Sequence, residues 1–549
     1  MCMHMLAPVG TASLQTLTHE STTSYQLFVA CMFTIGHPYS FPSDSRSSIP
    51  VGGTSASLET DDVSTSPEEG FEEQQRQDRV TIDMLPHDVL LDIFDFCQME
   101  PTLPYNVYFS WEWLYLVHVC RRWRQVIFTS PQRLSLQLVC TPRTPARETL
   151  GIWPPLPIIV EQMSRRYPES DAYEDNLVAA LELHDRVRVI LVSDLTSSLF
   201  EKFVAAMVEP FPALTTLSLA LGSAGVASPL PEAFLGGSAP RLQRLDLQGI
   251  PFPTLPKLAL SPNHLTALCL RDVPPAGYIS SDTMAACLST LTGLGELVIQ
   301  FNSPRPRPDP SSQRLLPSTR AVLPALVYFS FKGVSEYLED LIARIDAPTL
   351  EHLEAVFFHQ LIFDVQRLSQ FSQRTPRLKS PNRVRLILLP HSVQVEFSHY
   401  PITNLYFRIS CSQSDWQLSS IAQVCGSPFP LSQSAERIDI TEDGTIFPPK
   451  WLDDAHYSQW LEFLQPFSAV RQLQVSEMQR PLLMRALQDL TGGRTMDVLP
   501  QLSDIFFGGP PLSESLRETI QPFLAARRLS DRPVAVHCRE AQNWTVMNL

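Results

Sequence analysis

Leucines recur through the middle of this chain in the spacing L-x-x-L-x-L, and no other feature narrows the fold as far. Leu214, Leu217 and Leu219 in PALTTLSLA reappear as Leu242, Leu245 and Leu247, then as Leu265, Leu268 and Leu270. Leu294, Leu297 and Ile299 continue the series, as do Leu326, Phe329 and Phe331; Val187, Ile190 and Val192 can begin it. The clear copies start 28, 23, 29 and 32 residues apart, at Leu214, Leu242, Leu265, Leu294 and Leu326. Alternate residues of a strand point to one side, so each copy offers a short strand whose apolar residues need a shared core.

Between the copies lie amphipathic helices. In SSLFEKFVAAM, Phe200, Phe203, Val204 and Met207 share a face, and Ser198 with Glu201 reads as a capping box. Leu338, Leu341, Ile342 and Ile345 repeat that spacing, as do Leu418, Ile421, Ala422 and Cys425. One such helix cannot hide its apolar face alone, whereas stacked strand–helix units bury it against neighbours. The expected fold is α/β, with a curved leucine-rich-repeat-like solenoid over 176–515. The spacing resembles that of leucine-rich repeats, but their usual asparagine occurs only as Asn302; Ile250, Val273 and Val334 stand at the equivalent places. Copies after Leu350 are harder to phase, although Val470, Leu473, Val475 and Leu502, Ile505, Phe507 fit.

The ends differ in texture. Residues 1–79 are rich in Ser, Thr, Pro and Gly, without helical or strand period, and are expected to be disordered. Their last part holds eight acidic residues between Glu59 and Asp78 against one basic residue, Arg76. That segment alone carries −7 of the formal charge of −15, which comes from 42 basic and 57 acidic residues. An acidic chain without a basic stripe is not expected to bind nucleic acid or an anionic membrane. Leu27–Ile35 is too short and too poorly flanked for a membrane span or a signal peptide. Ten cysteines with no C-x-x-C pair fit a reducing compartment, cytoplasmic or nuclear, and no zinc site.

Residues 80–138 are helical in pattern. Pro86 suits the first position of a helix and Asp88 its first turn, where the dipole favours a carboxylate. Val89, Leu90, Ile93, Phe94 and Cys97 then make a stripe too apolar for so short a helix to leave in water. A second helix through Trp111, Trp113, Leu114 and Val117, capped by Ser110, leads into a third, with Val119, Trp123, Val126 and Ile127 expected inward and Arg121, Arg122 and Arg124 outward. The patterns I-x-x-LP-x-D-x-L-x-x-I-F, from Ile82, and V-C-R-x-W-R-x-V-I-x-x-S-P, from Val119, resemble an F-box, the three-helix module that tethers receptors to a cullin-type ubiquitin ligase. The following block, in stretches such as FKGVSEYLEDLIARIDAP and SCSQSDWQLSSIAQVC, resembles the repeat region of fungal F-box proteins.

The resemblance implies that Leu85, Pro86, Val89, Leu90, Ile93, Phe94, Val119, Cys120 and Trp123 contact a Skp-type adaptor, some of them packing the module itself. It further implies a non-enzymatic receptor that recruits a protein target for ubiquitination. A scaffold without ligase traffic and, more remotely, a β-helix hydrolase are the alternatives. On this reading 139–175 is a linker leading into the repeats and 516–549 a tail. No nucleotide, cofactor or hydrolase motif occurs. His352 with His359, and His537 with Cys538, are the only pairs that invite a chemical reading, as metal ligands and as base and nucleophile.

Overall fold

The computed structural model describes residues 82–98, 112–162, 171–223, 225, 227–258, 264–304, 320–359, 363, 365–378, 381–399, 402–411, 417–426, 430–442, 457–490, 492–540 and 543–547. The chain divides into Met1–Met84 and Leu85–Leu549. In the first unit the described part is a single 3-10 turn, Ile82–Met84. The acidic stretch and the run at Leu27 lie outside the described residues.

Among the described residues the second unit opens with three helices: α1 (His87–Gln98), α2 (Glu112–Val119) and α3 (Arg121–Thr129). Pro86 stands one place before α1, and its carbonyl accepts the first helical hydrogen bond, from Leu90 N at 3.1 Å. Nineteen strands follow among the described residues. The first seven are β1 (Leu138–Cys140), β2 (Ile158–Gln162), β3 (Val187–Leu195), β4 (Thr216–Leu221), β5 (Arg244–Gln248), β6 (Ala267–Val273) and β7 (Glu296–Phe301). Next come β8 (Ala321–Val322), β9 (Tyr328–Gly333), β10 (Ile345–Asp346), β11 (His352–Phe357), β12 (Arg383–Leu389), β13 (Ser392–His399) and β14 (Ile402–Ser410). The last five are β15 (Arg437–Glu442), β16 (Gln472–Val475), β17 (Asp504–Phe507), β18 (Ala535–Glu540) and β19 (Asn543–Met547). All but β8 and β10, which pair with each other, join one 17-stranded sheet.

The leucine spacing is the register of that sheet. Ile190 lies beside Leu217, Leu217 beside Leu245, Leu245 beside Leu268, Leu268 beside Leu297, and Leu297 beside Phe329. All six side chains are essentially buried. The late copies obey the same rule: Ile438, Leu473, Ile505 and Val536 are neighbours across β15 to β18. Just ahead of each strand a backbone ladder runs from unit to unit, Thr215 N to Arg188 O, Gln243 to Thr215, Thr266 to Gln243 and Gly295 to Thr266, at 2.7–2.8 Å. These bonds link the units without an asparagine row. At the equivalent places Ile250 and Val273 are buried, sealing the strand exits with apolar volume, while Asn302 is exposed.

Helices pack one face of the sheet. The amphipathic segments form α6 (Ser197–Ala206), α9 (Ser335–Ile342) and α11 (Gln417–Cys425), after α4 (Ala146–Ile152), α5 (Asp171–Leu181), α7 (Leu255–Leu258) and α8 (Ser281–Leu288), and around α10 (Gln366–Arg374). The expected capping box at Ser198 is displaced by two residues: Thr196 Oγ1 accepts from Leu199 N at 3.2 Å. The start of α10 has no cap of its own. The Glu339 carboxylate, on α9, supplies one by accepting the N–H groups of Arg367 (2.6 Å) and Leu368 (2.7 Å).

Two departures from the expected layout stand out. The chain doubles back after β11, so the spatial order becomes β9-β11-β14-β13-β12-β15, with β13 antiparallel to both neighbours. This meander is why leucine phasing fails after Leu350: two turns there replace strand–helix units. The second departure concerns the expected tail. After α12 (Pro430–Ser434), α13 (Tyr457–Leu464) and α14 (Arg480–Gln488), α15 (Glu514–Leu529) packs as a further repeat helix, and β18 continues the parallel sheet. Fully buried Arg527 fastens α15, donating to the carbonyls of Leu499 (3.2 Å), Pro500 (3.3 Å) and Leu502 (3.0 Å). The linker likewise holds β1, α4, β2 and α5 as part of the sheet and its helical layer.

Candidate functional site

The short helices at the start of the second unit split their apolar residues between two sides. Leu90, Leu91 and Phe94 of α1 are inside, with Trp113 and Val117 of α2 and Val126 and Ile127 of α3. Phe94 meets Trp123 at 4.8 Å between ring centres. Trp113 and Phe128 both set their edges on Trp153, at 5.7 and 5.8 Å, which joins the module to the first repeat. The other side of α1 is not filled. Val89 is 40% exposed, Ile93 36% and Phe96 77%; these three lie at i, i+4 and i+7, one stripe of the helix.

The nine expected contact residues therefore divide. Leu90 and Phe94 are sealed within the module, because an 87–98 helix laid on two others must spend one apolar face on them. Val89, Ile93 and Pro86 are exposed, and Leu85, Cys120 and Trp123 are half-buried. Val119, expected inward, ends α2 and is 58% exposed. Phe96 was not singled out by the sequence pattern, although its spacing from Val89 and Ile93 was available. The arginines expected outward do more than solvate: Arg122 donates to the Leu85 carbonyl, and Arg124 Nε to the Val117 carbonyl at 2.9 Å. Both hold the Leu-Pro corner and the α2–α3 junction in place. Trp111 and Ser110 lie outside the described residues.

A second candidate surface is the face of the sheet turned away from the helices. Its central row, read across the register, includes Ser218, Asp246, Cys269, Val298, Ser330, Glu354, Tyr406, Glu396, Arg385, Asp439, Gln474, Phe506 and His537. Two carboxylates in this row are gripped from both sides. Asp246 is paired with Arg271 and lies 3.6 Å from Arg244; Asp439 is paired with Arg383 and lies 2.9 Å from Arg437. The local sequences match: Arg244-Leu245-Asp246-Leu247 and Arg437-Ile438-Asp439-Ile440. In a strand, residues i and i+2 share a face, so each R-x-D places its own ion pair beside a strand that supplies the second arginine. The leucine spacing does not disclose this signal, because it marks only the inward residues.

Neither suspected catalytic pair is assembled. His537 and Cys538 are successive on β18 and point to opposite faces, His537 towards Asp504 at 2.8 Å and Cys538 into the core. His352 lies on β11, not on a helix. Among the described residues no cluster of three or more His, Cys, Asp or Glu could hold a metal, and no helix is long and apolar enough to cross a membrane. Burial pushes the Cys140, Cys269 and Cys287 thiols up to about 12, so none is a nucleophile at neutral pH.

No protein-family model matches the sequence, and no curated protein matches it. Among solved structures the chain is similar to the leucine-rich repeat-containing protein LegL7 from Legionella pneumophila, at 12% identity and a TM-score of 0.24, over 71% of this chain and 97% of that one. A likeness of that size decides nothing beyond what register and burial already establish.

Proposed function

We propose that the chain is a receptor with two protein-binding surfaces: the module at Leu85 docks a Skp-type adaptor, and through it a cullin, while the open face of the sheet takes a protein target for ubiquitination. One observation carries the reading. The module fills its inner side with Leu90, Phe94, Trp113, Val126 and Ile127 and still leaves Val89, Ile93 and Phe96 in a row outside. Burying three such side chains against a partner is worth roughly 1.5–3 kcal/mol each, less the cost of association. The F-box-like patterns around Leu85 and Trp123 make a Skp-type adaptor the partner of choice. Transfer chemistry would then belong to the rest of the ligase, and the receptor's contribution would be proximity.

The test is adaptor capture by the intact chain carrying Val89→Glu and Ile93→Glu. Both side chains are exposed, so folding is expected to survive, with a change of about 0.5 kcal/mol or less per site, while capture falls at least tenfold. Equal recovery of adaptor by the altered and unaltered chains refutes the docking role.

A further inference from the structure

The two arginine–aspartate clasps of the open face differ in one respect, and a groove lies beside the one that is short of negative charge. In the first clasp Arg244 also donates to the Glu296 carboxylate, at 2.7 Å. Arg244 and Arg271 are thereby balanced by Asp246 and Glu296. In the second, a terminal nitrogen of Arg437 meets an amide instead, Gln474 Oε1 at 2.6 Å, and the carboxylate that stands two strands away at the level of Arg437, Asp504, is held by His537 at 2.8 Å. Arg383 and Arg437 share the single carboxylate of Asp439, and Arg385 next to them is matched one to one by Glu396 at 3.3 Å. Among the described residues this group holds three guanidiniums and two carboxylates. A local positive surplus stands on a chain whose formal charge is −15.

The surplus faces a groove of about 530 Å³ lined by Arg383, Arg385, Asp439, Thr441, Gln394 and Gln474, with Ile387 and Leu389 adding an apolar strip. The groove lies over β12 and β15, where strand lengths fall away. β12 has seven residues and β15 six, whereas β16 has four and pairs only as far as Ile440, so Thr441 and the end of β12 stand beyond it. The groove is open to solvent, unlike a small-molecule site, which encloses most of its ligand. A chain segment fits such a trough better, and in an extended segment alternate side chains face the sheet.

We infer that this groove binds an extended acidic segment of a partner protein, one of whose carboxylates lies over Gln474 and supplies the arginine group of Arg383, Arg385 and Arg437 with the second charge that Glu296 supplies to Arg244 and Arg271. Aliphatic residues alternating with the acid lie over Ile387 and Leu389. The inference deepens the proposed target-binding role of the open face and makes no use of the adaptor module.

The probe is a fluorescein-labelled, end-capped peptide Leu-Glu-Leu-Glu-Leu and its Leu-Gln-Leu-Gln-Leu counterpart, titrated with the full chain in low salt and followed by anisotropy. A partly exposed charge-assisted pair is worth about tenfold in affinity, so the Glu peptide is expected to bind at least that much more tightly than the Gln peptide. Gln474→Glu installs the missing carboxylate within the chain and is expected to remove that preference. Gln300→Glu adds the same charge elsewhere on the same face and is expected to leave it in place. Because Gln474→Glu adds an ion pair, its unfolding midpoint should not fall. Equal binding of the two peptides, or undiminished preference in the Gln474→Glu chain, overturns the inference. Adaptor capture through Val89 and Ile93 is read in a separate assay, so failure of either proposal is distinguishable from failure of the other.

Discussion

Asp439→Asn is the substitution by which the open face can be weighed. The Asp439 side chain is 2% exposed, between Arg383 and Arg437, whose side chains keep 24% and 37% of their exposure. At an effective dielectric of about 20, each pair at contact is worth about 4 kcal/mol before desolvation. Replacing the carboxylate by an amide removes both attractions and leaves two guanidiniums facing each other over a site that water scarcely reaches. Breaking a buried pair costs about 3–5 kcal/mol; water on the two arginines puts this case near 3 kcal/mol. Asp246→Asn is the internal control. There Glu296 still holds Arg244, and the aspartate side chain is 12% exposed, so the expected loss is nearer 1.5 kcal/mol. Hydrogen exchange followed by mass spectrometry reads the difference locally. About 3 kcal/mol speeds opening of β12, β15 and β16 by roughly a hundredfold, and adding Arg383→Met to Asp439→Asn should recover part of it by removing the surplus charge. The reasoning is refuted if Asp439→Asn changes exchange no more than Asp246→Asn does, or if the second substitution makes matters worse.

Arg527→Ala is expected to cost about 3 kcal/mol, since one guanidinium nitrogen, Nη2, donates to three carbonyls and the cavity would hold no replacement; Arg527→Lys, whose ammonium also brings several donors to one point, should restore part of that, and urea unfolding with loss of β17–β18 protection measures both. Burial raises the Glu161 carboxyl above its ordinary value. A carboxyl raised in the folded state is favoured neutral there, so its ionisation costs stability once pH passes its unfolded value and the cost vanishes as pH falls through that range. Glu161→Gln is therefore expected to raise the urea midpoint at pH 7 and leave it unchanged at pH 4. Cys120 is partly exposed, whereas Cys140, Cys269, Cys287 and Cys411 are buried with raised thiols. Iodoacetamide followed by peptide mass spectrometry should modify Cys120 before those four, and bound adaptor should protect it; protection absent at saturating adaptor would place the contact elsewhere.

How far the sequence discloses this structure follows from which residues it forces. Positions such as Leu217, Leu245 and Leu268 can only face a shared core, so spacing alone fixes their strand, their face and their neighbours. The meander was not legible in the same way. Val384, Val393 and Phe407 alternate as any strand does, and nothing in alternation says whether the next strand runs up or down. In α1 a stripe containing Val89, Leu90, Ile93 and Phe94 reads as one apolar surface, yet three-helix packing consumes Leu90 and Phe94 and leaves Val89 and Ile93. Sequence gives the total apolar content of such a helix; only packing divides it. The R-x-D clasps could have been found by following outward residues, since Arg244-x-Asp246 and Arg437-x-Asp439 are explicit in the chain. What could not have been found is the partner arginine, which arrives from 27 residues later in one clasp, Arg244 to Arg271, and from 54 earlier in the other, Arg437 to Arg383.

A helical cap on the repeats is the plain competitor for the module at Leu85, and the structure grants it half of its claim. Solenoid ends need covering, and the ring contacts among Trp113, Phe128 and Trp153 do fasten the module to the segment that leads into β2. A cap, however, gains solubility by turning a polar side outward. On α1 the outward side carries Asp92 and Asp95 but also Val89, Ile93 and Phe96, and at the end of α2 stands Val119, all of which water would reject if covering were the only task. On the adaptor reading, the two roles use opposite sides of the same short helices. Substitutions on the inner side, such as Phe94→Ala, should therefore lower stability by about 3–5 kcal/mol and disturb binding only through unfolding, whereas Val89→Glu and Ile93→Glu should lower binding with the melting curve unmoved. If the outer pair also melts the module, those side chains belong to the cap and the adaptor reading loses its support.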